Sequence, residues 1–426
     1  MMIAPNLLRA PSTQVLHRFV LNSRCLDGSA AGGFVRRGGD GNRSNAVIVW
    51  LEGGGFCDSA ETCGSRAYGD GDGDGGSHQM GRGGSGKWPS ECDVACTPGL
   101  LSGNCRFNPQ LCEATVVLLK YCSADRWTGR RAGAHFFDGD ARPYFFAGAR
   151  IVEELIDALL QMPLLLSRGS TLVLGGQSAG GVGALAAMDS SGESGWLPAL
   201  ERRGVHVRTL LGWSVDVGLS VEEELLCRGA ASLRSVRWGR SGMARDQRWT
   251  DEQQVLYAAP SVRAAYEVLS RGRYQDGAKL RPTLIIANLW SALAIGSFPV
   301  DHSSCPCILA HGAAARSAYA RIGRHASLYV ASCFLHGIAS WHAPLLRVPG
   351  STGSSKEEAV DPRVSAKETV RRWLYGAEMD DFVDGSCDSP PCNPGCVSRV
   401  NPGRCDLNAS AHAPFTVVVH RSAARS

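Results

Sequence analysis

Short, largely apolar runs bounded by turn residues recur along the chain, and each predicts a buried β-strand. Few polar residues alternate within them, which is typical of strands covered on both faces of a sheet. The runs are 45–51, 114–119, 170–174, 207–213 and 283–287, with a shorter one at 415–419.

Apolar residues at helical spacing separate several of these runs. Ile151, Leu155 and Leu159 recur every four residues and predict a helix over 147–162. Further helices are predicted at 181–188, 314–329 and 366–375. Strands that alternate with helices predict an α/β fold, with a mostly parallel sheet and helices on both faces.

The same pattern divides the chain into three segments. Residues 1–20 are expected to be an irregular lead-in, and residues 21–385 the main α/β domain. That domain includes a Gly/Asp-rich loop at 69–86, whose Asp-Gly repeat resembles the start of a calcium loop. Gly81 stands where such a loop needs a bidentate glutamate, so we interpret the repeat as a flexible acidic insertion. Residues 386–426 form a Cys-rich carboxyl-terminal extension.

Composition narrows the class of protein. The net charge of +4 is small for 426 residues and no lysine-rich run occurs, so nothing indicates nucleic-acid binding. No stretch of about 18 apolar residues is present, so no transmembrane helix is expected. A secretory signal peptide is not evident in residues 1–24.

The cysteines indicate an oxidising compartment. There are 16, and none has the Cys-x-x-Cys spacing of a zinc site, so we expect disulfides and no metal. Two Asn-x-Ser sequons, at 42–44 and 408–410, agree with a secreted glycoprotein.

Residues 175–180, Gly-Gly-Gln-Ser-Ala-Gly, carry the strongest chemical signal. They place Gly-x-Ser-x-Gly between a predicted strand and a predicted helix, the setting of a nucleophile elbow. The motif also arises by chance in a chain with 51 glycines, where it would only link strand to helix. The strand-turn-helix context favours Ser178 as a nucleophile.

A serine nucleophile needs donors for the oxyanion and a base. The glycine run after the strand at 45–51 offers the backbone N–H groups of Gly54 and Gly55, and Ala179 offers another. Among the 11 histidines, His336 is the best candidate for the base, because it follows the last major strand and precedes Gly337.

Together these motifs resemble the pectin acetylesterase/Notum family of carboxylesterases. The resemblance runs from about residue 25 to residue 375. It rests on "VIVWLEGGGFC" (47–57), "YCSADRWTG" (121–129), "GQSAGG" (176–181) and "SCFLH" (332–336), with Trp88-Pro89, Asn108-Pro109 and 360–373 in the same order. It implies an α/β-hydrolase fold, disulfides, secretion and ester hydrolysis by a Ser-Asp-His triad. Ser178 and His336 fall on the nucleophile and base, and Gly54, Gly55 and Ala179 on the oxyanion hole.

The triad acid departs from the family pattern. Ser291 stands where the resemblance leads one to expect an aspartate, after the strand that follows Pro282. Asp301, on the same expected loop, is our candidate for a relocated acid, and Asp216 is a second carboxylate that follows a strand. The alternative is an impaired family member that binds ligand without turning it over.

Two aromatic residues beside the motifs, Phe56 and Trp127, are candidates for the substrate pocket, or else they pack in the core. The elbow does not choose among esterase, lipase and peptidase chemistry. The resemblance favours a monomeric, cofactor-free esterase acting on acetylated cell-wall polysaccharide or on an acylated protein.

Overall fold

The computed structural model describes the greater part of the first half of the chain and selected elements of the second. The described residues are 15–38, 45–57, 59–69, 88–92, 99–106, 108, 111–162, 165–189, 195–212, 283–290, 315, 319, 326–334, 346–347, 363–364, 366–375, 381–384 and 417–420. Described residues up to Leu211 belong to one compact unit, and Gly212 and the described residues from Thr283 onwards belong to a second. The strand that ends at Gly212 is described with the first unit.

The first unit is built on a mixed sheet. Its strands lie in the order β7-β6-β3-β5-β2-β1-β4, with β3 parallel to both β5 and β6 and antiparallel pairing from β5 outward to β4. The strands are β1 (Leu16–Arg24), β2 (Ala30–Arg36), β3 (Ala46–Leu51), β4 (Glu91–Cys92), β5 (Thr115–Leu119), β6 (Thr171–Gln177) and β7 (His206–Gly212).

Strand register brings three chain segments to one edge of this sheet. Leu51, near the end of β3, pairs with Leu119 of β5 and with Gly176 of β6. The three strands are parallel, so the residues that follow them emerge side by side. This is the sheet edge where α/β folds place their ligands.

Four helices lie among the described residues of the first unit. They are α1 (Ala60–Tyr68), α2 (Gly148–Leu160), α3 (Ala179–Asp189) and α4 (Trp196–Arg202), with a 3-10 turn at Gly99–Leu101. A capping box starts α1: Thr62 N donates to Ser59 Oγ (3.1 Å) and Ser59 N donates to Thr62 Oγ1 (3.0 Å). The α2 helix buries the apolar face that the sequence predicts, including Ile151, Leu155 and Leu159.

Among the described residues of the second unit, four strands lie in the order β13-β12-β9-β8. The β8–β9 and β9–β12 pairs are parallel and the β12–β13 pair is antiparallel. Its elements are β8 (Thr283–Trp290), β9 (Ser327–Phe334), β10 (Leu346–Arg347), β11 (Arg363–Val364), α5 (Ala366–Leu374), β12 (Asp381–Asp384) and β13 (Val417–His420), with β10 and β11 forming a separate ribbon.

The predicted α/β pattern is confirmed, but two segments were assigned to the wrong kind of structure. Residues 16–20, expected to be irregular, lie in β1, and residues 327–329, expected to be helical, lie in β9. In both places pairing with a neighbouring strand decides the conformation: His17 pairs with Val35, and Leu328 pairs with Ile285. Residues 417–420, within the expected carboxyl-terminal extension, pair with β12.

The expected disulfides are present. Cys25 is bonded to Cys122, Cys57 to Cys63, and Cys105 to Cys112, and Cys92 is also disulfide-bonded. The Cys25–Cys122 bond spans 97 residues and ties the end of β1 to the segment that follows β5. No helix within the described ranges has the length and apolar character needed to cross a bilayer.

Candidate active site

Ser178 occupies a strained turn between β6 and α3. Its φ is +55°, a left-handed value that non-glycine residues rarely adopt. The preceding residue ends β6 and the following one, Ala179, begins α3, while Val182 N donates to Ser178 O (3.2 Å) in the first turn of the helix. The sharp strand-to-helix turn is the local geometry of a nucleophile elbow.

The glycines on either side of Ser178 are required by close packing. A methyl group built on Gly180 would lie 1.9 Å from the carbonyl oxygen of Leu51. One built on Gly176 would lie 2.3 Å from the carbonyl of Gly180. The two glycines of Gly-x-Ser-x-Gly are therefore needed because the elbow packs closely on itself and on the end of β3. They do not serve only to make a linker flexible.

The glycine run after β3 lies directly against the elbow. A methyl group on Gly53 would lie 2.6 Å from Gln177 O and 3.1 Å from Ser178 Cβ. The structure thus brings together the predicted nucleophile and the turn predicted to supply oxyanion donors, although 125 residues separate Gly53 from Ser178 along the chain. We refer to residues 52–56 as the glycine turn.

Three side chains hold carbonyl groups of the glycine turn. A peptide N–H points away from the C=O of the same trans peptide unit, so fixing these carbonyls also fixes the direction of the N–H groups. The bonds are Trp127 Nε1 to Glu52 O (2.9 Å), Arg66 Nη1 to Gly54 O (2.6 Å) and Tyr121 Oη to Gly55 O (2.7 Å). The N–H groups of Gly55 and Phe56 accordingly point away from Arg66 and Tyr121.

Tyr121 is suited to this supporting role because it stays protonated. Burial holds the pKa of the Tyr121 phenol well above its usual range. Its oxygen donates to Gly55 O and accepts from Arg126 N (2.7 Å), which links the glycine turn to the loop at 121–129.

That loop is organised around a buried carboxylate. Asp125 is fully buried and accepts hydrogen bonds from Ser123 Oγ (2.6 Å), Trp127 N (3.0 Å) and Gly148 N (2.8 Å). Burial raises the pKa of Asp125 to about 6, although these hydrogen bonds favour the ionised form. The bonds hold a backbone in which Arg126 and Trp127 have φ values of +57° and +64°.

The two predicted pocket residues have different surroundings. Trp127 is 1 % exposed, and a methyl group on Gly183 would lie 2.3 Å from its Cβ, so it packs in the core between the loop and α3. Phe56 is partly exposed, with the Arg126 guanidinium carbon 3.6 Å from the centre of its ring. Of the two, only Phe56 presents a partly exposed aromatic surface next to the glycine turn.

An ion pair joins the first residue of the glycine turn, which follows β3, to the residue that follows β5. Lys120 Nζ lies 2.5 Å from Glu52 Oε1, and Tyr121 N donates to Glu52 Oε2 (3.1 Å). Burial raises the pKa of the Glu52 carboxyl, and the attraction of Lys120 opposes that rise. The pair fixes the start of the glycine turn relative to the loop at 121–129.

The remaining predicted site residues lie outside the described residues. These are His336, Asp301, Ser291 and Asp216. The base and the acid of the triad therefore stay predictions. Within the described ranges, no cluster of three or more His, Cys, Asp or Glu side chains forms a candidate metal site.

Sequence reasoning missed two residues that shape this site, Arg66 and Asp125. Asp125 lies in a motif used for the family resemblance, but nothing in the sequence indicates that its carboxylate is buried. For Arg66 a signal exists: Cys57 and Cys63 flank the start of α1, and Arg66 follows Cys63 by three residues, on the same helix face.

The first half of the chain is similar in sequence to known proteins. Residues 8–206 match the family model described as Pectinacetylesterase. Among curated relatives, palmitoleoyl-protein carboxylesterase notum1a of Danio rerio is 32% identical over 195 residues, which are 45% of this chain and 34% of the relative. Palmitoleoyl-protein carboxylesterase NOTUM of Drosophila melanogaster is 35% identical over 165 residues, 39% of this chain and 22% of the relative.

The matched region thus corresponds to about a third or less of the length of these curated relatives. Among solved structures, the Wnt deacylase Notum from Drosophila aligns with a TM-score of 0.64 and 24% identity, over 90% of this chain and 99% of that one. This likeness shows the fold, which is the expected α/β-hydrolase fold. The family model confirms the resemblance to the pectin acetylesterase/Notum family over residues 8–206.

Proposed function

We propose that this chain, whose residues 8–206 match the pectinacetylesterase family model, is a carboxylic ester hydrolase that acts through an acyl-Ser178 intermediate. One observation carries the proposal: Ser178 stands at positive φ on an elbow that contacts the glycine turn. A hydroxyl on a strained turn next to backbone donors is the arrangement that acyl transfer requires.

In the proposed reaction, Ser178 Oγ attacks the ester carbonyl carbon while its proton passes to His336. The carbonyl π electrons move to oxygen, and the N–H groups of Gly54, Gly55 and Ala179 stabilise that oxyanion. The bond to the leaving alkoxide oxygen then breaks as His336 donates the proton to that oxygen, and the alcohol departs. Water then attacks the acyl carbon while His336 accepts one of its protons. The bond from that carbon to Ser178 Oγ breaks, His336 donates the proton to Oγ, and the acid is released. These steps call for no metal or organic cofactor.

The start of α3 supports the role of Ala179. It is the first residue of an 11-residue helix, where N–H groups have no partner within the helix and the macrodipole favours negative charge. Its N–H follows the nucleophile by one residue, the position that supplies an oxyanion donor in α/β-hydrolases.

We assign the acid to Asp301, which lies on the same expected loop as Ser291, because Ser291 stands at the position where the family has aspartate. A serine cannot stabilise an imidazolium as a carboxylate does, and loss of the triad acid costs about 10⁴-fold in turnover. Ser291 is also the observation that favours the second candidate function, a catalytically impaired protein that binds an acylated ligand.

The names of the relatives and of the family model indicate the class of substrate but do not choose between two acyl groups. Relatives are named palmitoleoyl-protein carboxylesterases and the family model pectinacetylesterase, so we propose either a longer acyl group on a protein or acetyl on a polysaccharide. The disulfides favour a secreted or extracellular enzyme, since thiols stay reduced in the cytosol. We expect it to act as a monomer, without nucleic acid.

The test is hydrolysis of short-chain nitrophenyl esters by the wild type and by Ser178→Ala. The matched control is Ser170→Ala, which removes a serine hydroxyl from the other end of the β6 region, where it donates to Ser167 O. We expect Ser178→Ala to lose activity by a factor of about 10³ or more and Ser170→Ala to keep it. Undiminished hydrolysis by Ser178→Ala would refute the proposal.

Analysis of the released products distinguishes the two proposed classes of substrate. Acetylated pectin and a palmitoleoylated peptide are offered to the wild type, and released acetate and fatty acid are measured. Release of one product alone assigns the acyl group. Release of neither by a protein that does hydrolyse nitrophenyl esters would exclude both proposed substrates.

A further inference from the structure

We propose that Arg66 is a positioning residue for the oxyanion hole, acting through the peptide unit between Gly54 and Gly55. The proposal rests on the proposed esterase function and deepens it. Its basis is the hydrogen bond from Arg66 Nη1 to Gly54 O (2.6 Å), in a side chain that is only partly exposed.

The bond acts on the N–H that is expected to meet the substrate. Gly54 O and Gly55 N belong to the same planar trans peptide, so a donor held at Gly54 O directs the Gly55 N–H to the opposite side. That N–H is one of the three proposed oxyanion donors. Arg66 therefore orients a donor without contacting the substrate.

The charge of Arg66 also changes the strength of that donor. A guanidinium bonded to a carbonyl oxygen makes a charge-assisted bond, stronger than one between neutral groups. It draws electron density toward the carbonyl oxygen, and hydrogen bonds in such chains polarise one another. The Gly55 N–H thus becomes a better donor to a developing negative charge than an unassisted amide.

Local structure holds Arg66 in this position. The Cys57–Cys63 disulfide joins the residue after the glycine turn to α1, and the Ser59–Thr62 capping box fixes the start of that helix. Arg66 lies one turn beyond Cys63. At the other end of the contact, Gly55 has φ +73°, and a methyl group there would lie 2.9 Å from Arg66 Nη2. The glycine thus leaves room for the guanidinium.

The test compares Arg66→Gln and Arg66→Lys with Arg18→Gln as the matched control. Arg18 is also partly exposed and also donates to a distant backbone carbonyl, Trp88 O (2.7 Å). It lies in β1, which is separated from β6 by β3, β5 and β2 in the sheet. Nitrophenyl acetate hydrolysis gives kcat and KM. Affinity for a trifluoromethyl ketone, which forms a tetrahedral adduct with an active serine, is measured beside that for a non-hydrolysable ether analogue of the substrate.

We expect Arg66→Gln to lower kcat by about 10- to 100-fold with little change in KM, less than the 10²–10³ lost when an oxyanion donor is removed outright. Affinity for the trifluoromethyl ketone should fall by a similar factor, while the ether analogue binds as before. Arg66→Lys keeps a charged donor and should fall between wild type and Arg66→Gln. Arg18→Gln should match the wild type.

The outcomes separate this inference from the function on which it rests. If neither the wild type nor Ser178→Ala hydrolyses esters, the proposed function fails and this inference fails with it. If the wild type is active and the Arg66 variants match Arg18→Gln in kcat and ketone affinity, this inference alone is overturned. Should Arg66→Gln fail to fold, Arg66→Lys decides: reduced kcat and ketone affinity at unchanged melting temperature supports the role, and wild-type values overturn it.

Discussion

Gly53 lies so close to Ser178 that a methyl group on the glycine would come within 3.1 Å of the serine Cβ. The contact joins the end of β3 to the end of β6, two parallel strands that pair directly. It leaves the elbow no room to shift toward the turn. The separation between nucleophile and proposed oxyanion donors is therefore set by the backbone of two neighbouring strands.

Replacing Gly53 by alanine should displace Ser178. The added methyl group would also lie 2.6 Å from Gln177 O, closer than real Cβ contacts allow, so the elbow or the turn has to move. Because a misplacement of about 1 Å can cost about 10²-fold in rate, we expect a loss of that order in kcat/KM for nitrophenyl esters.

Gly133→Ala is the control for this change. It makes the same substitution in the first unit at a site where a methyl group meets nothing within 4 Å. Its activity and melting temperature should equal those of the wild type. Equal activity of Gly53→Ala and Gly133→Ala would contradict the tight contact between the turn and the elbow.

The number of residues in the loop that each disulfide closes predicts how much that disulfide stabilises the fold. The Cys25–Cys122 bond closes a loop of 97 residues and the Cys105–Cys112 bond one of 7. In the chain-entropy model these loops correspond to about 4.7 and about 2.4 kcal/mol. Paired Cys→Ala variants of each bond, compared by urea unfolding, should therefore differ by about 2 kcal/mol, the Cys25–Cys122 variant being less stable. The reverse order would count against the entropic explanation.

The Asp125 carboxyl should make stability depend on pH in acid. Burial raises its pKa to about 6 in the folded protein, whereas an unfolded aspartate titrates near about 3.9. The folded state thus binds more protons between these values. The stabilisation is fully present below about pH 4 and is lost as the pH rises through about 6, a change of about 2–3 kcal/mol.

The Asp125→Asn variant has no ionisable group at this position, so its free energy of unfolding is compared with that of the wild type at each pH. The free energy of unfolding of the wild type minus that of Asp125→Asn should fall by about 2–3 kcal/mol between pH 4 and pH 7. The variant itself should be destabilised by about 1–3 kcal/mol at pH 4, because an amide nitrogen cannot accept a hydrogen bond from the N–H that it faces, whereas both oxygens of the protonated carboxyl can. A difference that stays constant with pH would show that Asp125 titrates normally.

The sequence predicted strands well where both faces are buried and poorly where one face is exposed. In β3 every residue from Ala46 to Leu51 is buried, so the apolar run is continuous and easy to recognise. In β1 buried Phe19 and Leu21 alternate with exposed Val20 and Asn22, and a register shift interrupts the pairing with β2. A short alternating segment of that kind reads as irregular until its partner strand is known.

In the candidate site, residues that belong to local sequence patterns could be predicted, whereas roles that depend on tertiary contacts could not. The elbow at Ser178 and the glycine turn are local patterns, so their residues could be named from the sequence. The role of Arg66 depends on how α1 folds back over the turn, and an arginine in a helix usually indicates a solvated face. Burial of Trp127 in the core, in contact with Gly183 of α3, is likewise a tertiary property.

Reaction of the folded protein with a fluorophosphonate probe, followed by mass-spectrometric mapping of the labelled peptide, tests the central claim most directly, because only an activated serine reacts quickly. We predict rapid labelling at Ser178 in the wild type and in Ser170→Ala. Absence of labelling in the folded wild type, or attachment of the probe to a different residue, would contradict the hydrolytic role assigned to Ser178.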